Sequence, residues 1–222
     1  LKTVLRANGA IFMKTEEVMT LPEQRFINIF CPITSDYRKF KKDRVLELED
    51  KEFVGSTSFS YRLGLRMLAS GYSKLKLEAF RDLISSTSDR LIVFYNFNHE
   101  LEALKKIAQE QNRPISVMSG NLKDLRAYET EANSITFCQY QAGAMGLNLQ
   151  KANKMIYFSL PERSELFEQS KKRIHRICQK NTCTYYVLQT ASSIDQLIYR
   201  ALEKKQDYTD ELFRKELGYV DM

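Results

Sequence analysis

The chain has 222 residues, 43% of them hydrophobic, 11% aromatic and 28% charged, a balance that excludes disordered, collagenous and coiled-coil proteins and suits one large or two small domains. No apolar run reaches the roughly 18–20 residues of a spanning helix, and the opening LKTVLRANGA lacks a signal peptide's apolar centre, so a soluble, cytoplasmic protein with no membrane partner is expected. Lys+Arg 34 against Asp+Glu 28 leave +6, a modest bias toward anionic partners, and four scattered cysteines (Cys31, Cys138, Cys178, Cys183) read as free thiols.

Leu1 in place of an initiating Met reads as a fragment of something longer. Residues 1–72 are the least regular part, with one strand at FINIFC (26–31) and helices near 35–46 and 60–70. DYRKFKKDRVLELEDKE (36–52) mixes charges that nearly cancel and reads as a solvated helix face. No stretch rich in Pro, Gly or Ser divides the sequence, so one compact unit is expected.

From residue 73 the apolar pattern alternates between helical and extended periods. SKLKLEAFRDLI (73–84) aligns Leu77, Phe80 and Ile84 on a helix, and RLIVFY (90–95) is a continuous run suited to a strand buried on both faces. Asn98 is placed to cap a helix on which Leu101, Leu104 and Ala108 share a face. PISVM (114–118), ITFCQY (135–140), KMIYF (154–158) and CTYYVLQ (183–189) read as strands, and SELFEQSKKRIHRICQ (164–179) as a helix. A last helix follows Ser192, which stands three residues before Asp195 at capping-box spacing, ahead of the stripe Ile194, Leu197, Ile198, Ala201, Leu202. Strand–helix alternation of this kind predicts an α/β fold, a parallel sheet flanked by helices.

Two segments carry chemistry. At about 100° per residue, Gln169, Arg173, Arg176 and Lys180 fall within an arc of about 60°. Leu166, Phe167, Ile174 and Ile177 face the sheet on the other side. Two guanidinium groups on one face can grip a phosphate bidentately, although a merely solvated basic face has the same pattern. QAGAMGLNLQ (141–150) offers Gly143 and Gly146 for a sharp turn after a strand, with Asn148 polar in an apolar exit; a structural turn would look alike. His175, Cys178 and Cys183 lack the fourth ligand or CxxC pair that a zinc site needs, so no metal site is assigned.

In order, SKLKLEAFRDLI, RLIVFYNFNHELEALKKI, SGN (119–121), AGAMGLNLQKANKMIYFSLP and QSKKRIHRICQK resemble the second RecA-like lobe of Swi/Snf-type superfamily-two ATPases, which are ATP-driven double-stranded DNA translocases. FMKTEEVMTLPEQ (12–24), ITSDYRKF (33–40) and LRMLASGY (65–72) are similar to the stretch joining the two lobes. The resemblance implies an interlobe extension over 1–72 and a RecA-like helicase C-terminal domain over 73–222. It implies Arg173 and Arg176 as arginine fingers reaching ATP, with Gln169, Gly143, Gly146 and Asn148 facing the nucleotide. It also implies sequence-independent duplex DNA contact through Asn96, Phe97, Ser119, Gly120 and Asn121. ATP and Mg2+ would be held mainly by an N-terminal RecA-like lobe of the same protein, since this sequence has no GxxxxGK[ST] loop, and TDEL (209–212), the nearest acidic match, lies in the terminal helix.

The sequence departs from the pattern at Cys178, usually glycine, at Ala144, a second glycine position, and at Gln139–Tyr140, where a Ser/Thr pair often touches DNA. The stretch from Gly120 to Ile135 is short, which suggests a compact bacterial or phage-like member. His175 has two open readings, a group coupling nucleotide to DNA or a surface histidine, and His99 reads as helix surface. Two rival functions remain: a nucleic-acid-binding module gripping DNA phosphate with its arginines, and a scaffold that keeps only the fold.

Overall fold

The structure, a computed structural model, describes residues 21–48, 51–143 and 148–218. A seven-stranded sheet runs in the order β1-β9-β8-β4-β7-β5-β6, from β1 (Gln24–Cys31) and β9 (Cys183–Thr190) through β8 (Lys154–Tyr157), β4 (Leu91–Tyr95) and β7 (Ile135–Gln139) to β5 (Ile115–Met118) and β6 (Lys123–Asp124). All neighbours are parallel except β5 and β6, so the carboxyl ends of six strands lie along one edge.

β4 occupies the centre because its five residues are all apolar or aromatic and can be buried on both faces. Its side chains alternate between two cores, as the pleat requires. Ile92 and Phe94 join Tyr128, Tyr157, Phe167, Tyr185 and Ile198 on one face, and Leu91, Val93 and Tyr95 join Phe80, Ile84, Leu104 and Phe158 on the other. The second face is covered by α3 (Lys74–Ser85) and α4 (Asn98–Glu110). On the first lie α1 (Ser35–Asp43), α2 (Ser58–Leu68), α5 (Arg126–Thr130), α6 (Tyr140–Gly143), α7 (Ser164–Lys171), α8 (Ile194–Glu203) and α9 (Asp210–Leu217).

Three expectations are corrected. The charged stretch 36–52 is not one helix: α1 ends at Asp43, Arg44 takes a left-handed φ of 60° as its cap, and a hairpin of β2 (Val45–Leu48) and β3 (Lys51–Val54) follows. Helix 164–179 stops at Lys171, and Lys172 to Cys178 form successive turns. Both helix caps are displaced by one residue. Phe97, not Asn98, precedes α4, whose first turn is capped by the carboxylate of Glu100 accepting from the Asn96 and Phe97 N–H groups at 2.9 and 3.1 Å. Ser193, not Ser192, caps α8, its hydroxyl accepting from the Asp195 N–H at 3.1 Å.

The buried Lys76–Asp195 pair, with Nζ 2.6 Å from Oδ2, joins α3 to the start of α8. Asp195 also accepts from the Thr190 N–H at 3.0 Å, which ties both helices to the end of β9. A second network holds α2, α9 and the loop after β8 together: Arg62 and Arg66 pair with Glu162 at 3.2 and 3.1 Å, and Ser58 donates to Asp210, the first acid of TDEL, at 2.7 Å.

Candidate functional site

The turns after α7 are held by tertiary bonds that replace helical ones. The Tyr185 hydroxyl donates to the Lys171 carbonyl at 3.0 Å, and the Gln179 carboxamide donates to the carbonyls of Gln150, Ala152 and Ile174 at 3.0 to 3.2 Å. Gln179 is the residue that sequence reading missed here: with its oxygen accepting from the Lys180 and Asn181 N–H groups, it stitches the turns to the segment entering β8. Arg173 is consequently buried, 8% exposed, while Arg176 is exposed. Phe167 and Ile174 face the core as expected, but Ile177 does not and is 51% exposed.

The Leu149 N–H donates to the Arg173 carbonyl at 3.1 Å, so Asn148, itself exposed, lies beside the arginine turns. Burial, and then the charge of Arg176, lowers the pKa of the Arg173 guanidinium. Two cations held close enough to repel one another suit an anion that bridges them. Gln169, on α7, donates its amide to Glu165 at 2.9 Å. Gly143 ends α6, and Gly146 and Ala144 lie outside the described residues.

His175 is half-buried rather than loose on the surface: one ring nitrogen lies 2.8 Å from the Pro22 carbonyl and the other 3.2 Å from the Gln24 amide. These bonds join the arginine turns to the segment entering β1. His175, Cys178 and Cys183 are not arranged to hold a metal; Cys183 is buried, its thiol pushed up to about 11, and all four cysteines are free. Cys178 has φ of 77°, the left-handed region where glycine is favoured. Replacing a non-glycine residue there relieves about 1 kcal/mol. Cys178→Gly is therefore expected to raise the melting temperature by about 2–4 °C in a thermal melt, and an unchanged or lower midpoint would contradict the strain.

A second constellation lies at the carboxyl edge of the sheet. Asn96 follows β4, and its amide donates to the Ser159 hydroxyl and the Leu160 carbonyl, both at 2.9 Å. Ser159 donates to the buried carboxylate of Glu100 at 2.8 Å. The departures Gln139 and Tyr140 enter the same network: Gln139 donates to the Asn96 carbonyl at 3.2 Å, and the buried Tyr140 hydroxyl to the Ser159 carbonyl at 2.9 Å. They brace the turn from within. Phe97 is half-buried under the Arg66 guanidinium, 5.1 Å from its ring, and stacks on His99 at 5.5 Å. His99 is thus packed, not surface, and a Cβ on Gly71 would meet its ring at 2.4 Å.

Ser119, Gly120 and Asn121 form the β5–β6 turn, closed by the Ser119 N–H on the Leu122 carbonyl at 2.8 Å. Asn121 is exposed, and a Cβ on Gly120 would meet no atom within 4 Å. β5 and β4 flank β7, so this turn and Asn96 stand about 10 Å apart on one edge.

The family model for the helicase conserved C-terminal domain matches residues 75–178, which include Asn96, Ser119 to Asn121, Asn148, Arg173 and Arg176. Over those residues the chain is similar to the helicase conserved C-terminal domain. The chain is 25% identical over 174 residues to the DNA repair and recombination protein RDH54 of Saccharomyces cerevisiae, covering 68% of this chain and 18% of that protein. It is 22% identical over 232 residues to an ATP-dependent helicase of Mycoplasma pneumoniae, covering 94% and 22%. It is 26% identical over 184 residues to the human DNA repair and recombination protein RAD54-like, covering 74% and 23%. The chain thus spans about a fifth of the length of these relatives. Its fold is that of the C-terminal part of the Fun30 ATPase domain, with a TM-score of 0.69 at 13% identity over 90% of this chain and 97% of that one. Among the described residues no helix is long and apolar enough to cross a membrane.

Proposed function

We propose that this lobe is the second motor lobe of an ATP-dependent double-stranded DNA translocase, with residues 1–72 as its interlobe part and 73–222 as the RecA-like domain. The observation that carries the reading is the Leu149–Arg173 backbone bond, which sets Asn148 beside two mutually repelling arginines. In this reading Arg176, exposed and in no ion pair or side-chain hydrogen bond among the described residues, reaches the phosphoryl oxygens of ATP held by a first lobe. Its task is to neutralise charge spreading onto those oxygens. Arg173 backs it, Gln169 orients the turns, and Asn148, with Gly143 and Gly146, faces the nucleotide. In this scheme Mg2+, like the triphosphate, is held mainly by the first lobe.

The sheet edge would meet the DNA backbone without regard to sequence. Both Asn96 amide protons are engaged internally, so Asn96 would hold the turn that presents Phe97, and the direct contact would fall to Ser119, Gly120 and Asn121. Supplying a phosphate-binding lobe tests the reading. The 222-residue chain alone should not hydrolyse ATP, and the two-lobe protein should hydrolyse it faster with duplex DNA. Gly120→Ala should leave the fold intact and raise the DNA concentration needed for half-maximal stimulation. Turnover by the isolated chain purified to homogeneity, or two-lobe turnover indifferent to DNA, would refute the reading.

A further inference from the structure

α1 carries a concentration of charge that the fold does not use. Arg38, Lys39, Lys41 and Lys42 are all exposed on this nine-residue helix, and among the described residues none makes an ion pair or a side-chain hydrogen bond. They spread over about 160° of the helix surface, opposite the buried Tyr37 and Phe40. Other cations of the lobe, such as Arg62, Lys76, Arg81, Lys154 and Arg214, are paired.

Two bland explanations fall short. Cations at a helix C-terminus are favoured by its dipole, which accounts for Lys41 and Lys42 in the last turn and leaves Arg38 and Lys39 unexplained. A charge-balanced surface would pair these cations with the acids of the same stretch. Asp36 and Asp43 make no ion pair with them, while Glu47 and Glu52 lie directly opposite each other across the β2–β3 hairpin. Meanwhile Arg38–Lys41, Arg38–Lys42 and Lys39–Lys42 are like-charge neighbours at i,i+3 and i,i+4, each repulsive. An external polyanion would remove that repulsion.

The position of α1 favours a nucleic-acid backbone. α1 begins just past the carboxyl end of β1, and the Ile194 N–H, beyond the end of β9, donates to its Tyr37 hydroxyl at 2.9 Å. It therefore stands at the same carboxyl edge of the sheet as Asn96 and the 119–121 turn, three strands from the first and five from the second. We propose that the exposed face of α1 is an auxiliary contact for the phosphate backbone of duplex DNA, continuous with that edge; that the polyanion is DNA rests on the motor-lobe reading.

The test compares the full 222-residue chain with a variant carrying Arg38→Gln, Lys39→Gln, Lys41→Gln and Lys42→Gln, titrated with short duplexes of unrelated sequence. At about 50 mM salt the variant should bind every duplex at least about tenfold more weakly, with a log affinity against log salt slope shallower by about 3. A second variant, Lys39→Arg, Lys41→Arg and Lys42→Arg, should keep the parental affinity, and both should keep the parental circular dichroism. In the two-lobe protein, ATP turnover without DNA should not change with either variant. Unaltered duplex affinity and slope in the glutamine variant would overturn the proposal. So would loss of polyglutamate binding with duplex binding intact, which would assign the face to an acidic protein. A two-lobe protein without DNA-stimulated turnover, whose glutamine variant still loses duplex affinity, would refute the motor reading and leave this contact standing.

Discussion

Arg176→Ala in the two-lobe protein is expected to lower ATP turnover by about 10³-fold or more, the contribution typical of an arginine that neutralises a transferring phosphoryl group. DNA affinity should stay nearly unchanged, because Arg176 lies in the turns after α7 and not in the β4 or β5 turns. Arg173→Ala should also abolish turnover, but less cleanly. Arg173 is buried at 8% exposure, so its removal opens space beneath the turns and should lower the melting temperature as well. Arg176→Lys separates charge from shape: a lysine keeps the cation and loses the planar fork, so most of the loss should remain. Steady-state hydrolysis and duplex titration on the same preparations decide the matter. Should both alanine variants lose DNA binding and keep hydrolysis, the arginines grip DNA phosphate and the rival reading is right.

Asp195→Ala is expected to be among the most destabilising single changes in the lobe. Its partner Lys76 is fully buried, and removing one member of such a pair strands the other without solvent, typically costing about 3–5 kcal/mol. For a chain of this size that is a fall of about 10 °C in melting temperature. Lys76→Met should cost less, since methionine fills the space beside Phe158 while Asp195 keeps its bond from the Thr190 N–H. Thermal melts of the two variants and of the double replacement Lys76→Met with Asp195→Leu test this. A single variant melting within about 2 °C of the parent would show that water reaches the pair.

Elements whose residues state their own environment were legible in the sequence. After Arg90, LIVFY (91–95) has no charged position to turn toward solvent, which suits a strand covered on both faces, and it is the central one. The stripe Leu77, Phe80, Ile84 likewise announced α3. Spacing and order were enough to place the helicase motifs along the chain, because those motifs are local in sequence.

The tertiary structure decided what depends on partners far away in the chain. SELFEQSKKRIHRICQ has helical periodicity throughout, yet the helix ends at Lys171 because Tyr185 and Gln179 satisfy its carbonyls and those around it from outside. That break, unreadable from period alone, buries Arg173, exposes Arg176 and Ile177, and forces Cys178 to a left-handed φ. The charged stretch 36–52 was ambiguous for the same reason: Tyr37, Phe40, Leu46 and Phe53 share one core only after the chain reverses at Arg44, which leaves Arg38, Lys39, Lys41 and Lys42 on α1 and Glu47 and Glu52 on the hairpin. Lys76 and Asp195 stand 119 residues apart, and burial of both charges is favourable only when each supplies the other's counter-ion, a condition that pairing in space sets and local sequence cannot express.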